Sequence, residues 1–261
     1  METTIVTGGV SVRGVTSVDD QLFVLLQRTT NQVAVYSIND YRLLYYLRVP
    51  NFMPDNHNDL TSCVGLRYKC LYMSDSDNKC IHRYDLDSCV VNKWEVRSAT
   101  PMGLSVTSYC ILLVICQRPN TLLELSAERG QHIREIALQS DIVRPLHGVQ
   151  LTTGQYVVCH GSYNSLHRAC IVDDDGKVIR SYGDNQGSNI DQFKMPTHAA
   201  VDKDSCIFVA DYDRVMLLSP TLEFVRYFSE GIHRPCRLHL RQTARRLYVG
   251  QSYGCVSVLQ L

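Results

Sequence analysis

The 261-residue sequence has no run of 18 apolar residues, so it contains no candidate transmembrane helix. It also lacks a basic amino-terminal segment followed by an apolar core, the pattern of a secretory signal. No Gly-x-Ser-x-Gly, His-Glu-x-x-His or P-loop pattern occurs. We therefore expect a cytoplasmic protein that does not enter a membrane and has no catalytic residues of its own.

Cysteines are numerous, but no Cys-x-x-Cys pair occurs among the eleven, which argues against a zinc ribbon or a dithiol redox centre. Most lie within apolar strand patterns, where cysteine acts as a small hydrophobic residue. We expect free thiols in a reducing compartment. The 26 basic and 26 acidic residues give a net charge of zero, which removes the simple electrostatic case for nucleic acid without excluding a local basic patch.

Short apolar runs separated by turn residues fill the segment 182–219. Ile207–Ala210 and Val215–Leu218 are rich in Val, Ile, Leu and Phe and are separated by the polar turn 211–213. Such runs predict antiparallel strands. A single sheet of four short strands would leave both faces exposed, so copies of it must stack face to face.

The same pattern recurs six times, at the intervals of about 40–50 residues that are typical of propeller blades. Its aromatic-apolar steps are Phe23-Val24, Tyr72-Met73, Leu113-Val114, Tyr156-Val157, Phe208-Val209 and Tyr248-Val249. We therefore predict an all-β, six-bladed β-propeller with four-stranded antiparallel blades in a single domain, 1–261. The blades are expected at roughly 10–49, 60–96, 101–138, 144–183, 195–229, and 233–261 together with 3–6.

The last predicted blade has only three strands, because the sequence stops at Leu261 just after the third. Residues 3–6 precede the first inner strand and have no other role in the pattern. We expect them to supply the missing outer strand of the last blade, which closes the ring and removes an exposed sheet edge. Ile5 and Val6 are both expected to be buried there.

The segment 182–219 resembles an NHL repeat in three places: Phe193-Lys194-Met195-Pro196, Ile207–Asp211 and Arg214-Val215. The pattern resembles the NHL domain of tripartite-motif proteins. The resemblance implies a non-catalytic module that binds a protein partner, as in substrate recognition by ubiquitin ligases. It also implies a monomeric domain unless a coiled coil precedes it. An RNA-binding NHL module is the alternative, and a propeller hydrolase or lyase with a metal at the channel mouth is a third.

Equivalent positions of the six blades meet at the mouth of the central channel. We assign them to Gly14, Ser62, Gly103, His147, His198 and Arg237. Of these, His147, His198 and Arg237 are the candidate binding residues. Peptidyl-amidating lyases, which share this fold, hold zinc with three histidines, but here the third equivalent is Arg237. No acidic residue occupies these positions, which argues against the calcium shell of gluconolactonase-like propellers. We therefore predict no metal and no cofactor.

The turns between the second and third strands share a face with this mouth. Their candidate binding residues are Arg28, Arg118, Tyr163, Tyr212 and Tyr253, because Tyr supplies contact area at little entropic cost. Asp75 and Asp211 are expected to bond the local turn backbone instead. The basic segment 241–246 lies on the opposite face, where we interpret it as a solvated turn.

Overall fold

The structure is a computed structural model that describes residues 3–27, 32–52, 57–66, 68–96, 99–161, 166–184, 186–187 and 189–261. These residues form six four-stranded antiparallel sheets, which are the blades of a closed ring. The predicted six-bladed β-propeller is therefore confirmed.

Within blades 1–5, the strands follow chain order from the central channel outward. Blade 1 consists of β2 (Val12–Val18), β3 (Gln21–Leu26), β4 (Gln32–Ser37) and β5 (Leu43–Arg48). Blade 2 consists of β6 (Leu60–Gly65), β7 (Tyr68–Asp75), β8 (Cys80–Asp85) and β9 (Val91–Glu95). Blade 3 consists of β10 (Thr100–Val106), β11 (Ile111–Gln117), β12 (Thr121–Ser126) and β13 (His132–Ala137).

Blade 4 consists of β14 (Pro145–Gln150), β15 (Tyr156–His160), β16 (Arg168–Val172) and β17 (Val178–Tyr182). Blade 5 consists of β18 (Pro196–Val201), β19 (Ile207–Asp211), β20 (Arg214–Leu218) and β21 (Phe224–Phe228). Blade 6 consists of β22 (Pro235–Arg241), β23 (Arg246–Gln251), β24 (Cys255–Gln260) and β1 (Thr3–Val6), with a 3-10 turn (Gln242–Ala244) after β22.

The hydrophobic core lies between neighbouring blades rather than at the centre of the ring. Side chains alternate along each strand, so β3 sends Leu22 and Val24 towards blade 6 and Phe23 and Leu25 towards blade 2. Each of the six blade-to-blade gaps holds one such cluster of buried residues. The blades are thus held together by apolar burial on both faces of every sheet.

The amino-terminal strand closes the ring as expected. β1 pairs antiparallel with β24, with Thr3 opposite Val258 and Val6 opposite Cys255. Ile5 is buried in the cluster between blades 6 and 1, but Val6 is 72% exposed. The expectation that both would be buried is therefore wrong for Val6, because successive side chains of a strand point to opposite faces.

All eleven cysteines carry free thiols, as expected. Among the described residues, no helix has the length and the apolar character to cross a lipid bilayer.

We expect Ile5→Ala to lower the melting temperature by several degrees, because it removes about 2 kcal/mol or more of buried apolar contact. Val6→Ala is the matched control and should leave the melting curve nearly unchanged, since that side chain faces solvent. Deletion of residues 1–7 should have the largest effect, because the β24 edge loses its partner. Equal melting temperatures for the wild type and the deletion variant would contradict this closure.

Candidate functional site

Four polar side chains from different blades meet where the inner strands begin. His147 and His198 stack with ring centroids 3.5 Å apart. Asp59 lies beside them, with Oδ2 at 3.3 Å from His198 Nε2 and 3.8 Å from His147 Nε2. Its other oxygen, Oδ1, is 3.1 Å from Arg237 Nε. The four residues form one cluster, which we call the channel plug.

Hydrogen bonds from the channel plug reach all six blades. Arg237 donates to the carbonyl oxygens of Cys236 in blade 6, Arg13 in blade 1 and Asn58 beside blade 2. Asp59 accepts from the backbone N–H of Leu104 in blade 3. The plug residues of blades 4 and 5 complete the ring. Because every member has partners on other strands, the plug ties the inner ends of the blades together.

The hydrogen bonds also fix the protonation of His147. Its Nε2 donates to the Leu104 carbonyl oxygen at 3.1 Å, and its Nδ1 accepts from the Ala199 N–H at 3.3 Å. A ring with one donor and one acceptor nitrogen is neutral. Burial lowers the pKa of His147 well below 6.5, the nearby His198 lowering it further, and burial likewise lowers the pKa of His198.

Asp59 is ionised despite complete burial. Desolvation raises the pKa of this carboxyl, but His198 and Arg237 together with hydrogen bonding outweigh it, so the net pKa is well below 3.8. A buried carboxylate is tolerated only when charge and hydrogen bonds compensate its lost hydration. The Asp59–Arg237 pair meets that condition.

The assignment of the blade 2 mouth position to Ser62 is wrong, and with it the expectation that no acidic residue lies at the mouth. Ser62 pairs with Leu71 on β7, further along the channel. The position equivalent to His147 and His198 is that of Asp59, which bonds Ser74 at the other end of β7. The sequence signal that marks this position in blades 3–6 is a Pro two residues earlier, and blade 2 has His57 there.

Glycine at the blade 3 position makes room for the plug. A Cβ on Gly103 would lie 2.8 Å from His147 Cδ2 and 2.4 Å from the Leu146 carbonyl oxygen. Any larger residue would therefore push the His147 ring out of place.

The plug offers three ligand atoms to a metal ion, one each from Asp59, His147 and His198, within 4.8 Å of one another. These donors already have other partners, since Asp59 is paired with Arg237 and His147 Nε2 donates to a carbonyl oxygen. The adjacent guanidinium also repels a cation. The cluster therefore does not fit a metal site as arranged.

Beyond the plug, the channel contains a cavity of about 240 Å³ lined by the inner strands, with His147 and His198 at one end. The Nδ1 atom of His198 has no hydrogen-bond partner among the described residues.

The second-to-third-strand turns lie on one face of the ring, the upper face, and bring two of the predicted tyrosines together. Arg234 lies between them, with its guanidinium carbon 5.2 Å from the ring centroid of Tyr212 and 5.5 Å from that of Tyr253. Lys194 Nζ lies 4.3 Å from the Tyr212 centroid. We call Lys194, Tyr212, Arg234 and Tyr253 the tyrosine cluster; Tyr253 is 62% exposed.

Asp211 anchors this cluster from below. Its Oδ1 accepts from the backbone N–H groups of Lys194 and Met195, and its Oδ2 is 3.0 Å from Arg214 Nε. These bonds fix the loop that carries Lys194, so the expectation that Asp211 bonds the backbone of its own turn is wrong. Asp75, its counterpart in blade 2, accepts from the Asn78 N–H, which is the turn-bonding role that the sequence predicts.

The remaining predicted residues do not join the tyrosine cluster. Arg118 lies on the upper face at a cavity between blades 2, 3 and 4. Arg28 and Tyr163 lie outside the described residues. His147, His198 and Arg237 are brought together, but in the buried plug rather than on an exposed surface.

Comparison with known proteins shows the fold alone. No family model and no curated protein matches the sequence. A catalytically inactive histidine-to-alanine variant of virginiamycin B lyase from Staphylococcus aureus, with quinupristin, gives a TM-score of 0.69 at 8% identity, covering 99% of this chain and 98% of the lyase. A streptogramin B lyase structure gives a TM-score of 0.67 at 12% identity, covering 99% of this chain and 86% of that one.

A chain in the mitotic checkpoint complex also matches, with a TM-score of 0.67 at 11% identity over 100% of this chain and 91% of that one. In each case the similarity extends over nearly all of this chain. Lyases and a chain of a protein complex are both among the similar structures, so the fold does not decide the function. Membership of the NHL family is not shown.

We expect Asp59→Asn to destabilise the protein by about 3–5 kcal/mol, because it leaves the Arg237 charge without its buried partner. Chemical denaturation at neutral pH measures this loss. Asp174→Asn, in an exposed turn, is the matched control and should not change the unfolding midpoint. An Asp59→Asn variant as stable as the wild type would show that the plug does not hold the ring.

Acidification should weaken the fold through the plug histidines. Their pKa values are below 6.5 in the folded state, so the unfolded state binds more protons as the pH falls through 6.5. The free energy of unfolding should therefore be smaller at pH 5.5 than at pH 7.5. His198→Gln should reduce this difference, whereas His132→Gln, on an exposed outer strand, should not. An unaltered pH dependence in His198→Gln would contradict the assignment.

Proposed function

We propose that the protein is a non-catalytic binding module that holds a protein partner on its upper face. The observation that carries this proposal is the tyrosine cluster. Tyr and Arg are enriched among the residues that dominate binding energy in protein interfaces. Here Arg234 links Tyr212 and Tyr253 on adjacent blades, so their rings are held in place before any partner arrives.

The packing of the cluster supports this role. Asp211 fixes the loop of Lys194, and Lys194 covers Tyr212. Side chains held in the bound conformation lose less entropy on association. The propeller found in the mitotic checkpoint complex is in keeping with such a role. The finer proposal, taken from the NHL resemblance, is substrate recognition in a ubiquitin-ligase system by a monomeric, cytoplasmic domain.

The channel mouth is a weaker part of this proposal. His147, His198 and Arg237 remain candidates for contact with a partner, but burial leaves little of their surface for it. The plug is better suited to holding the blades that carry the upper face.

An enzyme is the second candidate, favoured by the partner-free Nδ1 of His198 at the channel cavity. The lyases that share the fold give it further support. Zinc or calcium retained by the purified protein, and lost in His198→Ala, would favour this candidate over a binding module.

The double substitution Tyr212→Ala and Tyr253→Ala should weaken binding of the protein's partners by at least about tenfold, because it removes both aromatic contacts. Affinity capture from a cell extract, quantified by mass spectrometry, measures which proteins depend on the tyrosines. Tyr109→Ala is the matched control, since Tyr109 is 83% exposed on the opposite face. Identical capture by all three proteins, with identical melting curves, would refute the proposed surface.

A further inference from the structure

The upper cavity, the one beside Arg118, carries a surplus of positive charge. Its volume is about 380 Å³. Lys79, Arg118 and Arg144 lie on its wall, with Asp77 as the acidic residue. A cavity between blades 1 and 2 has the opposite balance, with three Asp residues and one Lys. The upper cavity therefore has a local excess of positive charge.

Two of these cations have unused binding capacity. In the described part of the chain, neither Lys79 nor Arg118 forms an ion pair with an acidic side chain. Both residues are exposed. Unpaired cations around a concave site attract an anion, and a guanidinium binds a carboxylate through two parallel hydrogen bonds.

The cavity also has an apolar part. Met102 and Leu146 line it, each directly before a mouth position of the ring, Gly103 and His147. They are therefore held by the same strands as the channel plug. A basic rim beside an apolar floor suits a ligand that carries a negative charge next to an apolar group.

The lining argues for a peptide rather than RNA. Among the described lining residues the only aromatic ring is the imidazole of His57, so the cavity offers little surface on which successive bases could stack. Asp77 at the rim also weakens attraction to a phosphate backbone, and the whole protein has no net charge. A single carboxylate, in contrast, can be bound by Lys79 and Arg118 alone.

We propose that the upper cavity binds the carboxylate of an Asp or Glu residue in an extended segment of a protein partner. This inference rests on the proposed function and adds the chemistry of the partner. An apolar residue next to the acidic one contacts Met102 and Leu146. The acidic residue itself is bound by Lys79 and Arg118.

Selection from a phage library of random 12-residue peptides on the immobilised full-length protein tests the proposal. Asp or Glu should be enriched in the selected peptides, and a selected peptide should bind Lys79→Gln/Arg118→Gln about tenfold or more weakly than the wild type. Arg180→Gln is the matched control, because Arg180 is exposed on an outer strand away from the cavity. Melting curves of all variants establish that they are folded.

Selected peptides without acidic residues, or acidic peptides that bind the double variant as well as the wild type, overturn the cavity while leaving the proposed function standing. No enrichment over an unrelated immobilised protein overturns both. Binding of a 12-nucleotide polyuridine RNA that depends on Lys79 and Arg118 overturns the acidic-peptide assignment in favour of RNA.

Discussion

The buried ion pair between Asp59 and Arg237 holds the inner ends of the blades where they come closest together. A carboxylate this deep in a protein needs a cation and several donors to remain charged. Asp59 has Arg237 and the backbone N–H groups of Leu60 and Leu104. Arg237 in turn needs acceptors, and it finds carbonyl oxygens in three successive blades. These contacts reach blades 6, 1, 2 and 3, so displacement of any one of those blades would leave part of the buried pair without partners.

Because the plug charges are buried, the exposed groups that could bind a partner lie on the turns and loops around the plug. Most donors and acceptors of the plug are bonded to one another or to neighbouring backbone groups and are buried, so the exposed polar groups of the upper face lie on the surrounding turns and loops. The tyrosine cluster, between blades 5 and 6, and the upper cavity, between blades 2, 3 and 4, both include residues of these turns and loops. The upper face thus has a closed centre, the channel plug, and a rim that carries the tyrosine cluster and the upper cavity.

The fold could be predicted from the sequence because its signal is periodic. Both faces of each blade must be covered by the two neighbouring blades. The apolar steps therefore recur at a blade-length interval and reveal the strands even where the repeats differ. The six aromatic-apolar steps that reveal this period lie within β3, β7, β11, β15, β19 and β23. Whether a single side chain such as Val6 is exposed depends on the strand register, and the repeat period alone does not determine that register.

The repeat period does not locate Asp59, because it does not fix the number of residues between the strand pattern and the mouth position of each blade. Blades 3–6 reach the mouth position two residues after a Pro, through an irregularity in the pairing of inner and second strands. Blade 2 has neither the Pro nor an irregular pairing within β6. The strand pattern by itself therefore points to Ser62, which lies three residues after Asp59. The tyrosine cluster was missed in part for another reason: Arg234 belongs to a loop that is distant in sequence from both tyrosines it contacts.

The backbone gives an independent reason to regard the rim as more than a solvated surface. Arg144 and Arg234 each precede the first Pro of an inner strand, with φ of 52° and 50°. A glycine adopts this left-handed conformation without strain, whereas a long side chain there costs stability. Both arginines nevertheless occupy the upper face, one at the basic cavity and one between the tyrosines. Arg234 donates to the Tyr212 hydroxyl and lies against both tyrosine rings. Each of the two arginines thereby places a positive charge beside one of the proposed contact sites.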